Sequence, residues 1–195
     1  MVRKKTFPKE FESKKEPVIW CHAPGDTFAD ILEIGPGNGD FLISLAAQNP
    51  SKKIVAVEVR EKRFRKISKR LEKMGLQNVL LICGNAKVIL PRYFKKLSLE
   101  KIYILFPDPW PKRRHAFHRL IDEEFLSVLA EKLKKGGTVI FATDSKEYVQ
   151  WILELVGKTG LLEESPFERD FHETFFEKVW KKEGKDIAYL SFIKI

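Results

Sequence analysis

Short apolar runs alternate along the chain with longer segments in which apolar residues recur every three or four positions. The apolar runs have the length of buried strands and cover residues 31–34, 54–59, 79–83, 102–106 and 138–143. Helical spacing predicts helices over about 40–48, 64–74, 125–133 and 145–157, and Gly136 and Gly137 are expected to end the third of them. Residues 188–193 alternate like a last strand.

This regular alternation predicts an α/β fold in which a doubly wound sheet carries helices on both faces. The sheet should be mostly parallel, with an antiparallel last strand. A chain of 195 residues with 44% apolar content is large enough for a proper core. We therefore expect one domain over residues 18–195, preceded by a basic, mobile arm over residues 1–17, where Lys, Glu and Pro follow no period.

Composition adds a preference for a polyanionic partner. The formal net charge is +9 and the isoelectric point is near 9.4, which favours nucleic acid. No apolar run approaches the roughly 18 residues of a membrane span, and a secretory signal is not expected. Cys21 and Cys83 are isolated, so we expect neither a disulfide nor a metal site, and a cytoplasmic location.

A glycine-rich turn joins the first strand to the first helix. From Glu33 the sequence is Glu-Ile-Gly-Pro-Gly-Asn-Gly-Asp, with glycines at Gly35, Gly37 and Gly39. Glycines here allow close backbone approach by a ligand, but the dinucleotide pattern G-x-G-x-x-G is not met. Asp40 would also repel a pyrophosphate at the helix N-terminus. The turn therefore favours a ligand without phosphates.

Two further polar residues end neighbouring strands. Glu58 ends the second strand, where an acid can accept hydrogen bonds from ribose hydroxyls, and Asn85 follows the third. Structural interpretations stay open: Glu58 could be a partner for Arg60 or Lys62, and Asn85 a helix N-cap. Together with Glu33, which could be a mere strand-end charge, they lie at the sheet edge where doubly wound folds bind ligands.

The segment after the fourth strand, residues 106–115, has the sequence Phe-Pro-Asp-Pro-Trp-Pro-Lys-Arg-Arg-His. Three prolines in five positions exclude helix and central strand, so a stiff loop is expected. Asp108 and the indole of Trp110 could hold a flat, partly cationic ring, and the basic run from Lys112 could hold phosphates. The loop suits chemistry on a nucleobase, although Trp110 could also pack in the core and the basic run could be a solvated surface.

The glycine turn with Glu33, Glu58 and Asn85 resembles the first three motifs of the class I S-adenosylmethionine methyltransferases. The cofactor of that class is a cationic sulfonium without phosphate, and its fold is Rossmann-like. The loop at 106–115 resembles the hallmark of the tRNA (guanine-N7-)-methyltransferase family. Thr143-Asp144 with Glu147-Tyr148, and the Thr-x-x-Glu motif from Thr174 to Glu177, are similar to further segments of that family.

The resemblance covers about residues 29–180 and implies methyl transfer from S-adenosylmethionine to N7 of a guanine in tRNA, at guanosine 46 of the variable loop. The cofactor contacts it implies are Glu33, Gly35, Gly37, Gly39, Glu58, Asn85 and Asp108. The residues it implies for tRNA or guanine are Lys112, Asp144 and Thr174 to Glu177. Residues 21–25 match no pattern of the family.

Guanine N7 carries an in-plane lone pair, so no proton has to leave before it attacks a methyl group. The barrier then falls through positioning and electrostatics, and a carboxylate can stabilise the positive charge that forms on guanine. We expect Asp108 to have this catalytic role, and Asp144 or Glu177 to recognise the guanine N1–H and amino group. A simpler interpretation is open for both: Asp144-x-x-Glu147 and Thr174-x-x-Glu177 each fit a capping box.

Two other functions compete with this prediction. A base-amine methyltransferase carries an Asp-Pro-Pro-Tyr type of loop at the same strand, whereas here Trp110 follows Pro109. A catalytically silent RNA-binding protein could use the same basic loop, and cofactor binding would separate it from an enzyme. The basic helix at residues 60–73 could be a solvated face or part of an RNA surface, and it begins at the predicted cofactor edge.

Overall fold

A computed structural model describes residues 18–21, 29–110, 117–169, 171 and 175–195, with the backbone alone for 18–21 and 175–176. The predicted arm at residues 1–17 lies outside this part of the chain. The strands are β1 (Val18–Cys21), β2 (Ile31–Ile34), β3 (Ile54–Glu58), β4 (Val79–Cys83), β5 (Leu99–Leu105), β6 (Leu133–Thr143), β7 (Leu162–Ser165) and β8 (Ala188–Lys194). The helices are α1 (Asp40–Gln48), α2 (Glu61–Met74), α3 (Ala86–Tyr93), α4 (Glu123–Lys132), α5 (Lys146–Thr159) and α6 (Phe175–Lys182).

The strands form one sheet in the order β1-β4-β3-β2-β5-β6-β8-β7. The central strands β4, β3, β2, β5 and β6 are parallel. β8 runs antiparallel to β6, and β1 and β7 extend the two edges antiparallel to their neighbours. The doubly wound α/β prediction and its antiparallel last strand are therefore confirmed, while β1, β7 and the helix α3 were not predicted.

One predicted boundary is wrong for a physical reason. α4 ends at Lys132, and Gly136 and Gly137 lie inside β6 instead of ending the helix. Leu133 pairs with Leu99 and Thr138 with Lys101, so β6 accommodates extra residues in a bulge. Gly136 has φ +76°, and a Cβ on Gly137 would come within 3.0 Å of a backbone oxygen of Leu99. The glycines are needed for this bulge.

Hydrophobic side chains cover both faces of the sheet. Helices α3, α4 and α5 pack on one face, and α1 and α2 pack on the other. Because successive strand residues point to opposite faces, Glu33 and Glu58 belong with Ile31 and Ala56 on the α1–α2 face. No helix built from the described residues combines the length and the apolar character that crossing a bilayer needs.

Candidate active site

The carboxyl ends of β2, β3, β4 and β5 meet at one edge of the sheet and surround a cavity of about 270 Å³. Strand order reverses here, since the chain builds outward from β2 on one side and from β5 on the other, and doubly wound sheets bind ligands at this point. The wall includes Gly35, Glu58, Asn85, Asp108 and Trp110. The structure therefore brings together residues that the sequence places at four separate strand ends.

The three glycines of the turn have different roles. Gly35 has φ +76°, lines the cavity and leaves open space where a Cβ would stand. Gly37 has φ +58°, in the left-handed region that favours glycine. Gly39, with φ +80°, precedes α1, and its added Cβ would lie 3.0 Å from Ile67 of α2. Gly35 thus permits close approach by a ligand, whereas Gly39 permits two helices to pack.

Glu58 is an acid without a cationic partner among the described residues. It is 2% exposed, and its Oε1 accepts a hydrogen bond of 2.7 Å from the backbone N–H of Arg60. Its Oε2 is buried, with no hydrogen-bond partner among the described residues. The partner within the fold is therefore the backbone amide of Arg60, and the second oxygen of this cavity-lining residue has none among the described residues.

Glu33 lies behind the cavity wall, next to Ile34, and is also 2% exposed. Burial raises the pKa of Glu33 to about 8, and the nearby charge of Glu58 adds to the shift. Its Oε2, too, is buried without a partner in the described part of the chain. Two neighbouring buried carboxyl groups, each with an unused oxygen, fit a ligand that brings hydrogen-bond donors.

Asn85 has the capping role that the sequence left open. Its side-chain oxygen accepts a hydrogen bond of 3.0 Å from the N–H of Lys87, which makes it the N-cap of α3. The residue is exposed and lines the cavity. The cap therefore holds the side chain of a residue that lines the cavity, and cofactor binding by Asn85 stays a prediction.

The loop after β5 forms the other wall of the cavity. Phe106 donates its N–H to the carbonyl of Ala142 at 2.7 Å, and Phe106 and Trp110 have φ values of +53° and +43°. Asp108 is exposed, and the ring of Trp110 is 37% exposed and lies 4.8 Å from that of His118. Positive φ at two bulky residues is strained, so the surrounding structure must hold this loop in its shape. Lys112, with the rest of 111–116, lies outside the described residues.

Arg119 fixes this loop from below, a role that the sequence analysis missed. It is 8% exposed and donates to the carbonyl of Pro109 at 3.0 Å. Its guanidinium lies 5.7 Å from the ring of Tyr148 and 5.0 Å from the ring of Trp151, both on α5. An arginine directly before the apolar pair Leu120-Ile121, with aromatic residues at i and i+3 on a later helix, is the available sequence signal.

Asp144 lies farther along the same edge of the sheet, outside the cavity wall. Its carboxylate accepts a 3.0 Å ion pair from Lys185, and both border a second cavity of about 370 Å³. The capping interpretation of Asp144 is wrong, because Ser145 is the N-cap of α5 and accepts from the N–H of Tyr148 at 3.2 Å. Asp144 is therefore not needed to begin the helix.

Glu177 is fully buried in a cluster of cations and aromatic rings. Arg169 contacts both its oxygens at 3.1 and 2.9 Å, and Lys181 lies 3.0 Å away. Burial alone would raise the pKa of Glu177, but the bonds from Arg169 and Lys181, together with the side chain of Tyr189, outweigh it and hold this pKa below its usual value. α6 begins directly after Thr174, which is itself outside the described residues, so a capping role for it stays a prediction.

Comparison with known proteins assigns the family. A family profile described as "Putative methyltransferase" matches residues 29–190. A tRNA (guanine-N(7)-)-methyltransferase of Chlamydia abortus is 32% identical over 90% of this chain and 80% of its own length. Another of Thermotoga maritima is 37% identical over 90% of this chain and 59% of its own length.

Solved structures agree on the fold. The aminoglycoside resistance methyltransferase NpmB1 is 18% identical with a TM-score of 0.60, covering 86% of this chain and 87% of its own. A SAM dependent methyltransferase from Aquifex aeolicus is 15% identical with a TM-score of 0.59, covering 87% and 84%. The chain belongs to the tRNA (guanine-N7-)-methyltransferase family, and it is a class I methyltransferase whose cofactor is S-adenosylmethionine.

Proposed function

We propose that this protein methylates N7 of a guanine in tRNA, at guanosine 46 of the variable loop, in the cytoplasm. One observation carries the proposal: the buried, partly unpaired carboxylate of Glu58 faces the same cavity as Asp108 and Trp110. Glu58 would bind the sugar of a nucleoside cofactor, and Asp108 and Trp110 would form a surface for a base. The names of the relatives add the tRNA and the guanine nitrogen.

The residues around the cavity fit S-adenosylmethionine. Glu58 would accept hydrogen bonds from the ribose hydroxyls through its unused oxygen, and Asn85 would bind the adenine edge. Gly35 leaves room for the ligand, and Glu33 stands behind that wall with an unused side-chain oxygen. When bound, the cofactor supplies an electrophilic methyl group on a sulfonium centre.

The chain's own contribution to the reaction is position and charge. Guanine N7 needs no general base, since its lone pair is already available, and Asp108 would stabilise the positive charge that grows on the ring. Trp110 would support the flat base from one side. Arg119 holds the carbonyl of Pro109, between these two residues, and so keeps the loop in its shape.

The substrate-binding roles of Lys112, Asp144, Thr174 and Glu177 are part of the proposal. Asp144 directly follows β6. The hydrogen bond from Phe106 to Ala142 holds the loop that contains Asp108 against the end of the same strand. Glu177 is bound by Arg169 and Lys181, so it would act on guanine only indirectly, by holding Arg169 against the ring of Tyr189. Lys112 would contact phosphate.

The decisive test incubates unmodified tRNA with methyl-labelled S-adenosylmethionine and maps the labelled nucleotide. We expect label at N7 of guanosine 46 and none in a tRNA that carries adenosine there. Label on an adenine amino group would favour the base-amine methyltransferase instead. No transfer to any tRNA, together with no heat on titrating the cofactor, would favour a silent RNA-binding protein.

Asp108→Asn tests the electrostatic role within that assay. It keeps the shape and removes the charge, so we expect turnover to fall by about 100-fold, the loss typical of one preorganised electrostatic contact. Cofactor affinity measured by calorimetry separates this loss from a binding defect. Full turnover with unchanged affinity would refute the assignment.

A further inference from the structure

Helix α2 concentrates the positive charge of the protein. Between Glu61 and Met74 it carries seven lysines and arginines against two glutamates, more than half of the chain's net charge of +9. Two of its arginines are engaged within the fold: Arg65 with Glu61 at 2.6 Å and Arg70 with Asp40 at 2.7 Å. The charge left over is that of Arg63 and of the lysines.

Four of these lysines form one stripe along the helix, which we call the lysine stripe: Lys62, Lys66, Lys69 and Lys73. Their spacing of i, i+4, i+7 and i+11 aligns them on one face at 100° per residue. The buried residues Phe64, Ile67 and Leu71 are on the opposite face, so the stripe points directly away from the sheet. All four are exposed, and none forms an ion pair with a described residue.

The pattern differs from an ordinary solvated face. Such faces usually place Glu four residues before Lys, which stabilises a helix, whereas Lys62–Lys66 and Lys69–Lys73 are like-charge pairs at i,i+4. Each such pair destabilises an isolated helix. A stripe that repels itself is stabilised by a polyanion laid along it.

The stripe also begins at the active site. α2 follows Glu58, and Arg60 and Arg63 of the same segment line the cavity. From Lys62 to Lys73 the helix rises about 16 Å at 1.5 Å per residue. Lysines act as point charges on phosphate and cannot distinguish bases in a bidentate way, so the stripe suits a backbone and not a sequence.

We propose that the lysine stripe binds the phosphate backbone of the tRNA whose guanine enters the cavity. The inference rests on the proposed function and extends it to a stated surface. It assigns to α2 a sequence-independent contact, which secures the tRNA while the loop with Asp108 selects the base.

The test is a variant in which Lys62, Lys66, Lys69 and Lys73 are all changed to Gln. Each phosphate contact contributes about 0.7 to 0.9 to the slope of log affinity against log salt, so removing four should reduce the slope for tRNA by about 3. The KM for tRNA should rise at least about 10-fold near physiological salt, while kcat at saturating tRNA and the affinity for S-adenosylmethionine stay unchanged. The double variants Lys62/Lys66 and Lys69/Lys73→Gln should each show about half the slope change.

A matched control changes the same amount of charge at the opposite edge of the sheet. Lys53, Lys95, Lys96 and Lys135 are exposed beside the strand starts and can be changed to Gln together. A lysine-stripe variant that behaves like this control, or keeps the wild-type KM and salt slope, would refute tRNA binding by the stripe. The proposed function would still stand, because the wild-type enzyme would methylate tRNA. If the wild-type enzyme transfers no label to tRNA, the proposed function fails, and the stripe fails with it.

Discussion

The acids in the two halves of the carboxyl edge of the sheet fall into two groups, one without and one with cationic partners among the described residues. At the ends of β2 and β3, Glu33 and Glu58 are buried side by side, and each has an oxygen without a partner among the described residues. Toward β6 and β8, Glu177 is equally buried but is bound by Arg169 and Lys181, and Asp144 is bound by Lys185.

This contrast indicates where a small ligand is expected to bind. A buried carboxylate without a counter-charge is costly, and it persists where binding supplies the missing donors. A buried carboxylate inside an ion pair is already satisfied, so it contributes to stability and shape. We therefore expect the cofactor to supply the missing donors in the first half, whereas the acids of the second half are already paired within the described residues.

The largest effect is expected from breaking the completed half. Arg169→Met removes the two-bond contact of Arg169 with the buried carboxylate of Glu177, and breaking a buried pair costs about 3 kcal/mol in the free energy of unfolding. Urea unfolding measures it. The control Arg65→Met removes an exposed pair with Glu61 and should change stability by less than about 0.5 kcal/mol. Equal losses in the two variants would contradict the contrast.

In the cofactor half, the corresponding substitution should affect binding instead of stability. Glu58→Gln weakens the hydrogen bonds offered to ribose, so we expect the affinity for S-adenosylmethionine to fall by about 30-fold, or 2 kcal/mol. The free energy of unfolding of the cofactor-free protein should stay the same or increase, because the substitution removes a buried charge. Calorimetry and urea unfolding measure both effects. Glu61→Gln, three residues away and exposed, is the control. If the variant loses stability but keeps its affinity for the cofactor, Glu58 has a structural role like that of Glu177.

A third prediction concerns pH and Glu33. Its pKa is raised to about 8, so the folded protein holds the proton more tightly than the unfolded chain does. The stability that this neutral carboxyl contributes is fully present below its ordinary pKa and is lost as the pH rises toward and through 8. In Glu33→Gln that loss should disappear. Melting temperatures of both cofactor-free proteins at pH 5.5, 7 and 9 test it, and parallel pH curves would rule it out.

Sequence could predict the edge of the sheet but not this division along it. Strand periodicity and glycine spacing fix which residues stand at strand ends, so Gly35, Glu58 and Asn85 were correctly expected near one another. Two of the three ion-pair partners follow no regular spacing: Arg169 reaches Glu177 from a loop eight positions earlier, and Lys185 reaches Asp144 across 41 positions. Only Lys181, four positions after Glu177, has the spacing of a helical ion pair.

The sequence did not predict the short edge strands or the bulge, for a related reason. β1 and β7 have four residues each, too few for alternation to stand out, and are defined by pairing with β4 and β8. Gly136-Gly137 has the sequence of a helix end, and only the register between Leu99 and Leu133 turns it into a bulge. Arg119 is similar, since its meaning depends on the loop above it and on the aromatic rings of α5.

The smallest effect is expected at Asp144, whose ion pair with Lys185 is partly exposed. Asp144→Asn should change the free energy of unfolding by less than about 1 kcal/mol, because solvent screens such pairs. If Asp144 also contacts the guanine, the KM for tRNA should rise about fivefold, the value of one hydrogen bond, with cofactor affinity unchanged. Lys185→Gln breaks the same pair from the other side and should leave that KM near the wild-type value. A Lys185 variant that reproduces the whole effect would mean that Asp144 acts only through its ion pair, as Glu177 does through its own pairs with Arg169 and Lys181.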